Sequence, residues 1–438
     1  MTGSEKLSRR RFLRDTAAAA SAGVAVPYIV PSGVLAAPGR AGANDRIGVG
    51  YIGAGRRAGG LYGLPKDAQM VAVADVDLPR AQGVAARRNA KAYRDYRKLL
   101  EQKDVDAVVV STPDHWHALP CIHACQARKD VYCEKPMTLT IREGRLMAQA
   151  VRKYERVFQT GSQQRSMKAN RLGCELIRNG RLGKLKLVIG ANFPSPWNCG
   201  LGGEDVPDGL DWDLWCGPTK PRPYHRDIFI PRAKPGWISF REYSGGEMTG
   251  WGAHGLDQVQ WALGMDESGP VEVWTEGPKF NPPTYTQPES RSRGDKMCSQ
   301  PKVFFRYADG VVLKLENGPG GGAIFEGENG RIVINRGSAK GTPPELVKDP
   351  LTDPKVRLYV SDNHMQNWID CIKSRKRCVA DVEIGHRSTT VCHLGNIARW
   401  LGRRLRWDPK AEKFIGDDEA NTHLDRPRRK PYDLPETV

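Results

Sequence analysis

Short apolar runs alternate with stretches of helical periodicity over the first third of the chain. The apolar runs RIGVGYIG, MVAVADVD, VDAVVVSTP and DVYCEKP start at residues 46, 70, 105 and 130. Helical patterns lie between them, in LPRAQGVAARRN, KAYRDYRKLLEQ and HWHALPCIHACQAR. Runs that are apolar throughout are typical of parallel strands buried on both faces. The alternation through residue 160 therefore predicts an α/β fold with a doubly wound parallel sheet.

The rest of the chain follows a different pattern. A helix is predicted in KANRLGCELIRNG and a strand in LKLVIGANF. Alternating strands follow in PVEVWTEG, KVFFRYADGVVLKLENG and RIVINRG, and amphipathic helices in HMQNWIDCIKSRK and TTVCHLGNIARWLGRRL. No internal repeat is present. We therefore expect two domains, residues 44–165 and residues 166–438, after an N-terminal segment of 36 residues.

Residues 194–250 interrupt this pattern, because they are rich in Gly, Pro and Trp and have little periodicity. A segment this long without periodicity indicates a functional insertion or an arm. Its aromatic residues could stack on sugar faces, but large rings more often anchor loops or fill a core. Core packing is the default expectation for these residues, which are Trp212, Trp215, Tyr224 and Trp237.

The first 36 residues have the features of an export signal. Positive charge in SRRRFLRD precedes the Ala-rich stretch TAAAASAGVAVPYIVPSGVLAA, and the VLAA sequence at positions 34–37 offers small residues for a signal peptidase. Pro27 and Pro31 interrupt the apolar part, so a membrane-spanning helix is not expected. The paired arginines before Phe12 and Leu13 resemble a twin-arginine signal, read by the twin-arginine export machinery. This predicts a periplasmic or otherwise exported protein; a solvated basic tail is the alternative.

Composition and charge limit the classes of partner that the protein is expected to bind. The 438 residues carry a formal net charge of +17, and 39% of them are hydrophobic, which is enough for a core. The basic residues are scattered and do not form a stripe with aromatics. We therefore expect no nucleic acid partner and favour an acidic ligand, an acidic envelope or plain solubility. The ten cysteines show no CxxC or zinc-type spacing, which predicts mostly free, buried thiols and no metal site.

The first apolar run leads directly into a glycine-rich turn. Gly53, Gly55 and Ala58 fit the dinucleotide-binding fingerprint with alanine in the last place. The glycines permit a tight turn and a close approach of pyrophosphate to the amides that begin the next helix. The second run reaches Asp75 about twenty residues later, where a carboxylate can accept hydrogen bonds from ribose hydroxyls. It would repel a 2′-phosphate, which favours NAD over NADP; a helix cap or turn is the alternative reading of Asp75.

Polar residues follow two later strands, in STPDHWH and CEKP. Because ligands bind outside the carboxyl ends of parallel strands, these residues are candidates for a site. Lys135 could take a proton from an alcohol during hydride transfer, and Glu134 could orient the lysine or bond a ribose. A surface salt bridge is the alternative for this pair. Asp114 is well placed to cap the next helix.

Five motifs together resemble the Gfo/Idh/MocA (glucose–fructose oxidoreductase / inositol dehydrogenase) family: GYIGAGRRAGG, STPDHWHALP, VYCEKPMTLTIREG, QTGSQQRS and WGAHGLDQVQWALG. The resemblance runs from about Arg46 to FIGDDEAN and so covers nearly all of the chain after the signal. It implies an N-terminal Rossmann domain and a C-terminal α/β domain with an open, mainly antiparallel sheet. That sheet often supports oligomerisation, which implies a homo-oligomer, a dimer or a tetramer. Several exported members hold their nicotinamide cofactor tightly, which implies NAD loaded before export.

The resemblance also implies roles for individual residues. Lys135 takes the position of the catalytic lysine, and His254 matches the histidine that works beside it. The cofactor would be held by Gly53, Gly55, Arg56, Arg57, Asp75, Thr112, Pro113, His117, Glu134 and Gln163. Candidate substrate contacts are Gln164, Asp257 and Tyr224. The family often has aspartate four residues before the histidine, where this chain has Gly250; Asp257 or an aromatic-loop residue would have to compensate, or activity would be low or altered.

Three functions remain open from the sequence. The first is an exported oxidoreductase that uses tightly bound NAD, with NADP less favoured, to oxidise a hydroxyl of a sugar, sugar derivative or glycoside. The second is a redox glycosidase or eliminase that oxidises the ring transiently; the retained EKP motif favours the first over it. The third is a non-catalytic cofactor-binding protein, which the glycine at position 250 suggests.

Overall fold

A computed structural model describes residues 45–230, 236–282, 284–286, 300–349 and 351–438. The predicted export signal lies outside these residues. Within the described residues, no helix combines the length and apolar character that a membrane span requires. The nine described cysteines are all free thiols and eight are buried, as the sequence predicts for most of them.

The first sheet is six-stranded and parallel, in the strand order β3-β2-β1-β4-β5-β6. Its strands are β1 Ile47–Ile52, β2 Ala68–Ala74, β3 Lys91–Tyr93, β4 Ala107–Val110, β5 Asp130–Cys133 and β6 Phe158–Thr160. The helices between them are α1 Arg56–Gly59, α2 Leu78–Arg88, α3 Tyr96–Leu100, α4 Ala118–Gln126 and α5 Ile141–Lys153. Strand β4 is buried at all four residues, as its unbroken apolar run requires. The predicted doubly wound sheet is confirmed.

Two local predictions in this half were wrong. The stretch from residue 91 begins as strand β3, which pairs with β2, and only then turns helical at Tyr96. The helix starts there because the Asp95 side chain accepts a hydrogen bond from the Arg97 amide at 2.9 Å. Asp114 does not cap α4. It begins a short 3₁₀ turn, and its carboxylate accepts a hydrogen bond from Ser244 Oγ at 2.6 Å.

The second sheet has nine strands in the order β15-β14-β13-β7-β12-β11-β9-β16-β17. These strands are β7 Leu185–Ala191, β9 Glu272–Glu276, β11 Lys302–Arg306, β12 Val312–Glu316, β13 Ala323–Gly327, β14 Gly330–Asn335, β15 Ser338–Thr342, β16 Leu405–Asp408 and β17 Lys413–Phe414. Strands β7 and β12 are parallel, and the other neighbours are antiparallel. The expectation of a mainly antiparallel sheet is confirmed. A separate short pair joins β8 Asn198–Cys199 and β10 Thr284–Tyr285.

The second half also contains nine helices among the described residues. They are α6 Lys168–Arg178, α7 Trp212–Cys216, α8 Arg226–Phe229, α9 Glu247–Gly250, α10 Gly252–Leu263, α11 Glu345–Lys348, α12 His364–Ser374, α13 Val382–Leu401 and α14 Asp418–Thr422. Helix α13 packs on α5 and β6 on one side and on α10 and β9 on the other. It therefore connects both halves, and most of its residues are buried. Both halves belong to one compact unit, Ile47–Val438.

Residues 194–250, here called the aromatic segment, have a small core of their own. Trp197, Trp212, Trp215, Tyr224 and Phe240 are buried in one cluster. Trp212 and Trp215 stack at a ring distance of 4.5 Å, and Tyr224 meets Trp212 edge-on at 5.1 Å. This agrees with the default expectation that large rings anchor such a segment. The segment also contacts the first half, where Leu210 forms a bridge with Asp77.

Candidate active site

The glycine-rich turn leaves β1 with the geometry that the fingerprint requires. Gly53 has φ of +88°, and a Cβ there would lie 2.9 Å from the Thr112 amide nitrogen. A Cβ on Gly55 would meet nothing within 4 Å, so its surface is open, and α1 begins at Arg56. Backbone amides at the start of α1 are thus available to a phosphate.

Asp75 lies at the end of β2 and is tied to this turn. Its carboxylate accepts hydrogen bonds from the amides of Ala54 at 2.7 Å and Asp77 at 2.9 Å, and Arg80 lies 3.6 Å away. Burial raises the pKa of the Asp75 carboxyl, while Arg80 and the two amides oppose that rise. A carboxylate has about four lone-pair sites, so Asp75 keeps acceptor capacity for a ribose diol.

A cavity of about 380 Å³ opens at the carboxyl end of the parallel sheet. Most of the predicted site residues line it: Gly53, Gly55, Arg56, Arg57, Asp75, Thr112, Pro113, His117, Glu134, Lys135, Gln163 and His254. The Thr112 hydroxyl is buried there and has no hydrogen-bond partner among the residues that the structure describes. An orphaned hydroxyl, an open glycine surface and a ribose-type carboxylate are the features that a dinucleotide would use. The residues present therefore fit NAD.

The amine of Lys135 bridges the two halves of the molecule. Lys135 follows β5, and its Nζ donates a hydrogen bond to the carbonyl oxygen of Gly250 at 2.8 Å. Gly250 ends α9, and both residues line the cavity together with His254. The position where relatives often carry aspartate thus contacts the lysine through its backbone. A carbonyl orients the amine but brings neither a negative charge nor a titratable proton.

Glu134 organises the neighbouring part of the cavity. Its Oε1 accepts hydrogen bonds from Arg57 Nη2 at 2.7 Å and from Gln163 Nε2 at 2.9 Å, and the side chain of Glu134 is almost fully buried. Its other oxygen accepts from the backbone amide of Lys135 at 3.2 Å. These contacts bring together Glu134, Arg57 and Gln163, three residues that were predicted from the sequence to bind the cofactor. They also place a carboxylate and its counter-ion at the exit of β5.

His117 lies under the cavity between two carbonyl groups. Its Nδ1 is 2.8 Å from the Pro136 oxygen and its Nε2 is 2.9 Å from the Thr112 oxygen. Carbonyls only accept hydrogen bonds, so a doubly protonated ring satisfies both. Burial disfavours that charge, but Cys133, Asp114 and the Pro136 carbonyl outweigh burial and raise the pKa of His117 to about 10.

The three candidate substrate contacts do not line the cavity. Gln164 is buried and donates to the carbonyls of Gly321 at 2.6 Å and His254 at 3.3 Å. Asp257 shares α10 with His254, but its carboxylate is 2.8 Å from Arg165 Nε. Ser388 also donates to that carboxylate at 2.8 Å. Tyr224 belongs to the core of the aromatic segment. In this structure Gln164 therefore positions the His254 backbone, and Asp257 neutralises a buried arginine.

Several cavity residues were not identified from the sequence. They are Arg80, Arg94, Tyr96, Trp116, Leu214, Phe229, Ile238, Trp251 and Arg336, among others. Trp215 and Trp237 also line the cavity, although core packing is the default expectation for both from the sequence and stacking on a sugar is the alternative. The sequence signals for this group are the aromatic richness of residues 194–250 and the motifs STPDHWH and WGAHGLDQVQWALG, which contain Trp116 and Trp251. Arg336 had no signal, because an arginine in a hairpin turn is ordinarily a solvated surface residue.

The aromatic segment closes the part of the cavity nearest Asp75. Asp211 donates its amide to the Val76 oxygen at 2.9 Å, and Leu78 donates to the Gly209 oxygen at 3.2 Å. Arg94 also donates to the Gly209 oxygen at 2.7 Å. These bonds attach the segment to the loop between β2 and α2, to the start of α2 and to the residue after β3. The segment and the Rossmann half thus share the wall of one cavity.

Two family models match the chain. The model described as an oxidoreductase family NAD-binding Rossmann fold matches residues 47–162, and the C-terminal alpha/beta domain of the same family matches residues 176–434. Inositol 2-dehydrogenase of Rubrobacter xylanophilus is 39% identical over 100 residues, which cover 22% of this chain and 29% of that protein. Myo-inositol 2-dehydrogenase of Thermotoga maritima is 30% identical over 154 residues, which cover 34% of this chain and 46% of that protein. The chain thus spans less than half the length of these curated relatives.

Solved structures share the fold over most of the chain. Aldose-aldose oxidoreductase from Caulobacter crescentus has a TM-score of 0.58 at 16% identity, covering 82% of this chain and 99% of that one. The WlbA dehydrogenase from Bordetella pertussis, solved with NADH and UDP-GlcNAcA, has a TM-score of 0.57 at 18% identity, covering 83% of this chain and 99% of that one. With both family domains matched in order, the chain belongs to the Gfo/Idh/MocA oxidoreductase family.

Proposed function

We propose that this protein is an exported oxidoreductase that transfers a hydride between tightly bound NAD and a hydroxyl-bearing carbon of a sugar, sugar derivative or glycoside. One observation carries the proposal: the Lys135 amine, fixed by the Gly250 carbonyl at 2.8 Å, lies in the same cavity as His254 and the dinucleotide turn. A base, a second proton-handling group and a cofactor site thereby meet at one edge of the sheet.

Each residue has a defined task in this proposal. When bound, NAD supplies the hydride acceptor. Lys135 takes the proton of the substrate hydroxyl, and the Gly250 carbonyl holds the amine in position. His254 is the second group that handles the proton, and Gln164 holds its backbone. Trp251, whose ring lies 5.6 Å from that of His254, gives the substrate an apolar face and helps to exclude water.

The proposal favours NAD over NADP because of Asp75. Its buried carboxylate lies where a ribose diol would bind, and negative charge there repels a 2′-phosphate. Arg80 lies beside it but is already paired with Asp77 at 2.9 Å. That pairing limits what Arg80 offers to a phosphate. Cofactor-loading experiments with both nucleotides would measure the preference, and equal affinities would contradict it.

Tight retention of the cofactor is supported by the aromatic segment. Its bonds to Val76, Leu78 and Arg94 cover the Asp75 side of the cavity with chain from the other half of the molecule. Dissociation of a dinucleotide from that side requires these contacts to open. An enzyme that keeps its cofactor must reoxidise the NADH while it is bound, by passing the electrons to a second substrate or another electron acceptor.

The test begins with protein purified from cytoplasm, with no nucleotide added. After denaturation, the supernatant is assayed for NAD and NADH by chromatography, and about one nucleotide per chain is expected. The native protein is then screened with sugars and polyols for a rise in absorbance of the bound nicotinamide. A protein that binds no nucleotide even when NAD is supplied would refute the proposal.

Export is tested separately. Residues 1–36 are fused to a reporter that is active only outside the cytoplasm, and Arg9 and Arg10 are replaced by lysine in the matched control. We expect transport of the first fusion, blocked in the control. Transport that does not depend on the arginine pair would exclude the twin-arginine route and leave the redox proposal standing.

A further inference from the structure

The second half contributes only neutral or positively charged side chains to the wall of the cavity. Nine residues of that half line it: Leu214, Trp215, Phe229, Trp237, Ile238, Gly250, Trp251, His254 and Arg336. Among these described residues none is acidic, and only His254 and Arg336 can carry positive charge. The side of the cavity that faces a substrate therefore offers rings and cations.

The acidic residues of the first half are already engaged. Asp75 accepts from two backbone amides, and Asp114 accepts from Ser244 Oγ. Glu134 accepts from Arg57 and Gln163. Glu134 also pairs with Arg57, and Asp75 lies 3.6 Å from Arg80. The acidic side chains that line the cavity therefore all belong to the first half, which carries the cofactor side.

Arg336 is an exposed residue that lines the cavity together with His254. It lies in the turn between β14 and β15, where Asn335 Oδ1 accepts from the amides of Arg336 at 2.8 Å and Gly321 at 3.1 Å. The carbonyl of Gly321 in turn accepts from Gln164, the residue that also bonds the His254 carbonyl. A continuous set of hydrogen bonds thus fixes the Arg336 backbone relative to His254.

Three of the four other arginines in the cavity wall are already engaged, and the fourth, Arg56, begins α1 in the dinucleotide turn. Arg57 is paired with Glu134, Arg80 with Asp77, and Arg94 with backbone carbonyls. Arg336 forms no ion pair or side-chain hydrogen bond with any residue that the structure describes. Its donor fork is therefore available to a ligand.

We propose that Arg336 binds an anionic group on the substrate, a carboxylate or a phosphate ester, so that the enzyme acts on acidic sugars. This inference rests on the proposed redox function for the sugar part and on the charge of the cavity for the acidic part. A guanidinium matches either anion with two parallel hydrogen bonds, which gives orientation as well as affinity. Held from the His254 side, the anion would direct a ring hydroxyl toward Lys135.

The test measures binding separately from turnover. Isothermal titration of NAD-loaded protein uses three probes: glucuronate, glucose 6-phosphate and uncharged glucose. The variant is Arg336→Met, and the matched control is Arg331→Met, an exposed arginine on the same hairpin that does not line the cavity. NAD affinity of the NAD-free protein is measured for each variant, because an arginine that served the cofactor would lower that affinity.

We expect one of the two anions to bind at least about tenfold more tightly than glucose, in line with a charge-assisted hydrogen bond. Arg336→Met should remove that preference, Arg336→Lys should restore part of it, and Arg331→Met should leave it unchanged. Raising ionic strength should weaken anion binding. A phosphate ester gains charge near pH 6 and a carboxylate does not, so the pH dependence identifies which anion is recognised.

Equal binding of charged and neutral sugars, or a preference that survives Arg336→Met, would overturn the inference. Weaker NAD binding in Arg336→Met would overturn it too, by assigning the residue to the cofactor. These results are distinct from failure of the proposed function. If neutral sugars reduce the bound nucleotide and neither anion binds more tightly than glucose, the redox function is supported and the proposal of an acidic substrate is refuted.

Discussion

The two walls of the cavity are built in different ways. The cofactor wall comes from strand ends between Gly53 and Gln163, and its key groups are backbone amides, two glycines and the carboxylates of Asp75 and Glu134. The opposite wall comes from the aromatic segment, the start of α10 and a hairpin turn more than eighty residues beyond it. The first wall needs a precise main-chain path, and the second needs side chains placed by distant packing.

This difference shows where the chain is constrained and where it can vary. A dinucleotide presents the same phosphates and riboses to every enzyme, so a short local motif can bind it. Substrates differ, and the wall that meets them is assembled from elements held by the second sheet and by α13. Lys135 lies where the walls meet, because its strand belongs to one and its hydrogen-bond acceptor, Gly250, belongs to the other.

The largest expected effect is at that meeting point. Lys135→Met should slow reduction of the bound nicotinamide by about 10² to 10⁴-fold while NAD stays bound, since a positioned base contributes that much. Single-turnover absorbance measurements with a substrate from the screen give the rate. The matched control is Lys98→Met, a surface lysine paired with Glu101. Unchanged turnover in Lys135→Met would show that Lys135 is not the base. It would also contradict the role of Lys135 at the boundary between the two walls.

The next effect concerns how the halves are held together. His364 of α12 contacts the Thr160 oxygen of β6 and Ser166 Oγ, both at 2.8 Å, and burial lowers the pKa of His364 to about 4. Its folded pKa lies below the unfolded value, so the unfolded state binds more protons between about pH 6.5 and pH 4. Stability contributed by this residue is complete above that window and is lost as pH falls, by about 1.4 kcal/mol for each pH unit.

Chemical denaturation at several pH values measures this slope. In His364→Gln, a side chain that retains hydrogen-bonding capacity but does not titrate, the slope between pH 6.5 and pH 4 should decrease by about that amount. A slope equal to that of the unmodified chain would show that His364 does not carry the acid sensitivity of the junction.

A smaller effect is expected at the cofactor wall. Gly53→Ala places a Cβ at a φ of +88° and 2.9 Å from the Thr112 amide, a strain of about 1–3 kcal/mol. We expect weaker NAD binding and a lower Tm, measured by titration and calorimetry. Gly59→Ala is the control, because a Cβ there meets nothing within 4 Å. Equal NAD affinity in both variants would contradict the role of the tight turn.

The smallest effect is expected at Gly250. Gly250→Asp brings a carboxylate next to the Lys135 amine, and Gly250→Asn brings an uncharged group of the same shape. Negative charge favours the ammonium form, so the base would become available only at higher pH. The acidic limb of kcat/KM should move upward by about one pH unit in the Asp variant and stay in place in the Asn variant, with rates at pH 8 changed only a few-fold. An equal shift of the acidic limb in the Asp and Asn variants would mean that the shape of the new side chain, and not its charge, causes the shift.

Sequence pattern alone was sufficient for the parallel sheet, the turn at Gly53 and the positions of Asp75 and Lys135. The reason is physical: strand period, glycine freedom and the edge at which parallel strands end are all local properties. The pattern was insufficient to predict secondary structure where a segment's conformation depends on the segment that pairs with it. The stretch from residue 91 became a strand because β2 offered it hydrogen-bond partners. That pairing cannot be seen in the stretch itself.

Tertiary structure decided what faces the substrate. Asp257 shares a helix with His254, but Arg165 and Ser388 engage its carboxylate, and Tyr224 packs on Trp212. Arg336, with no sequence signal, reaches the cavity because the hairpin packs beside Gly321. Which side chain lines a cavity depends on contacts between residues tens to hundreds of positions apart. Those contacts follow from the packing of the two sheets and α13, and no local pattern encodes them.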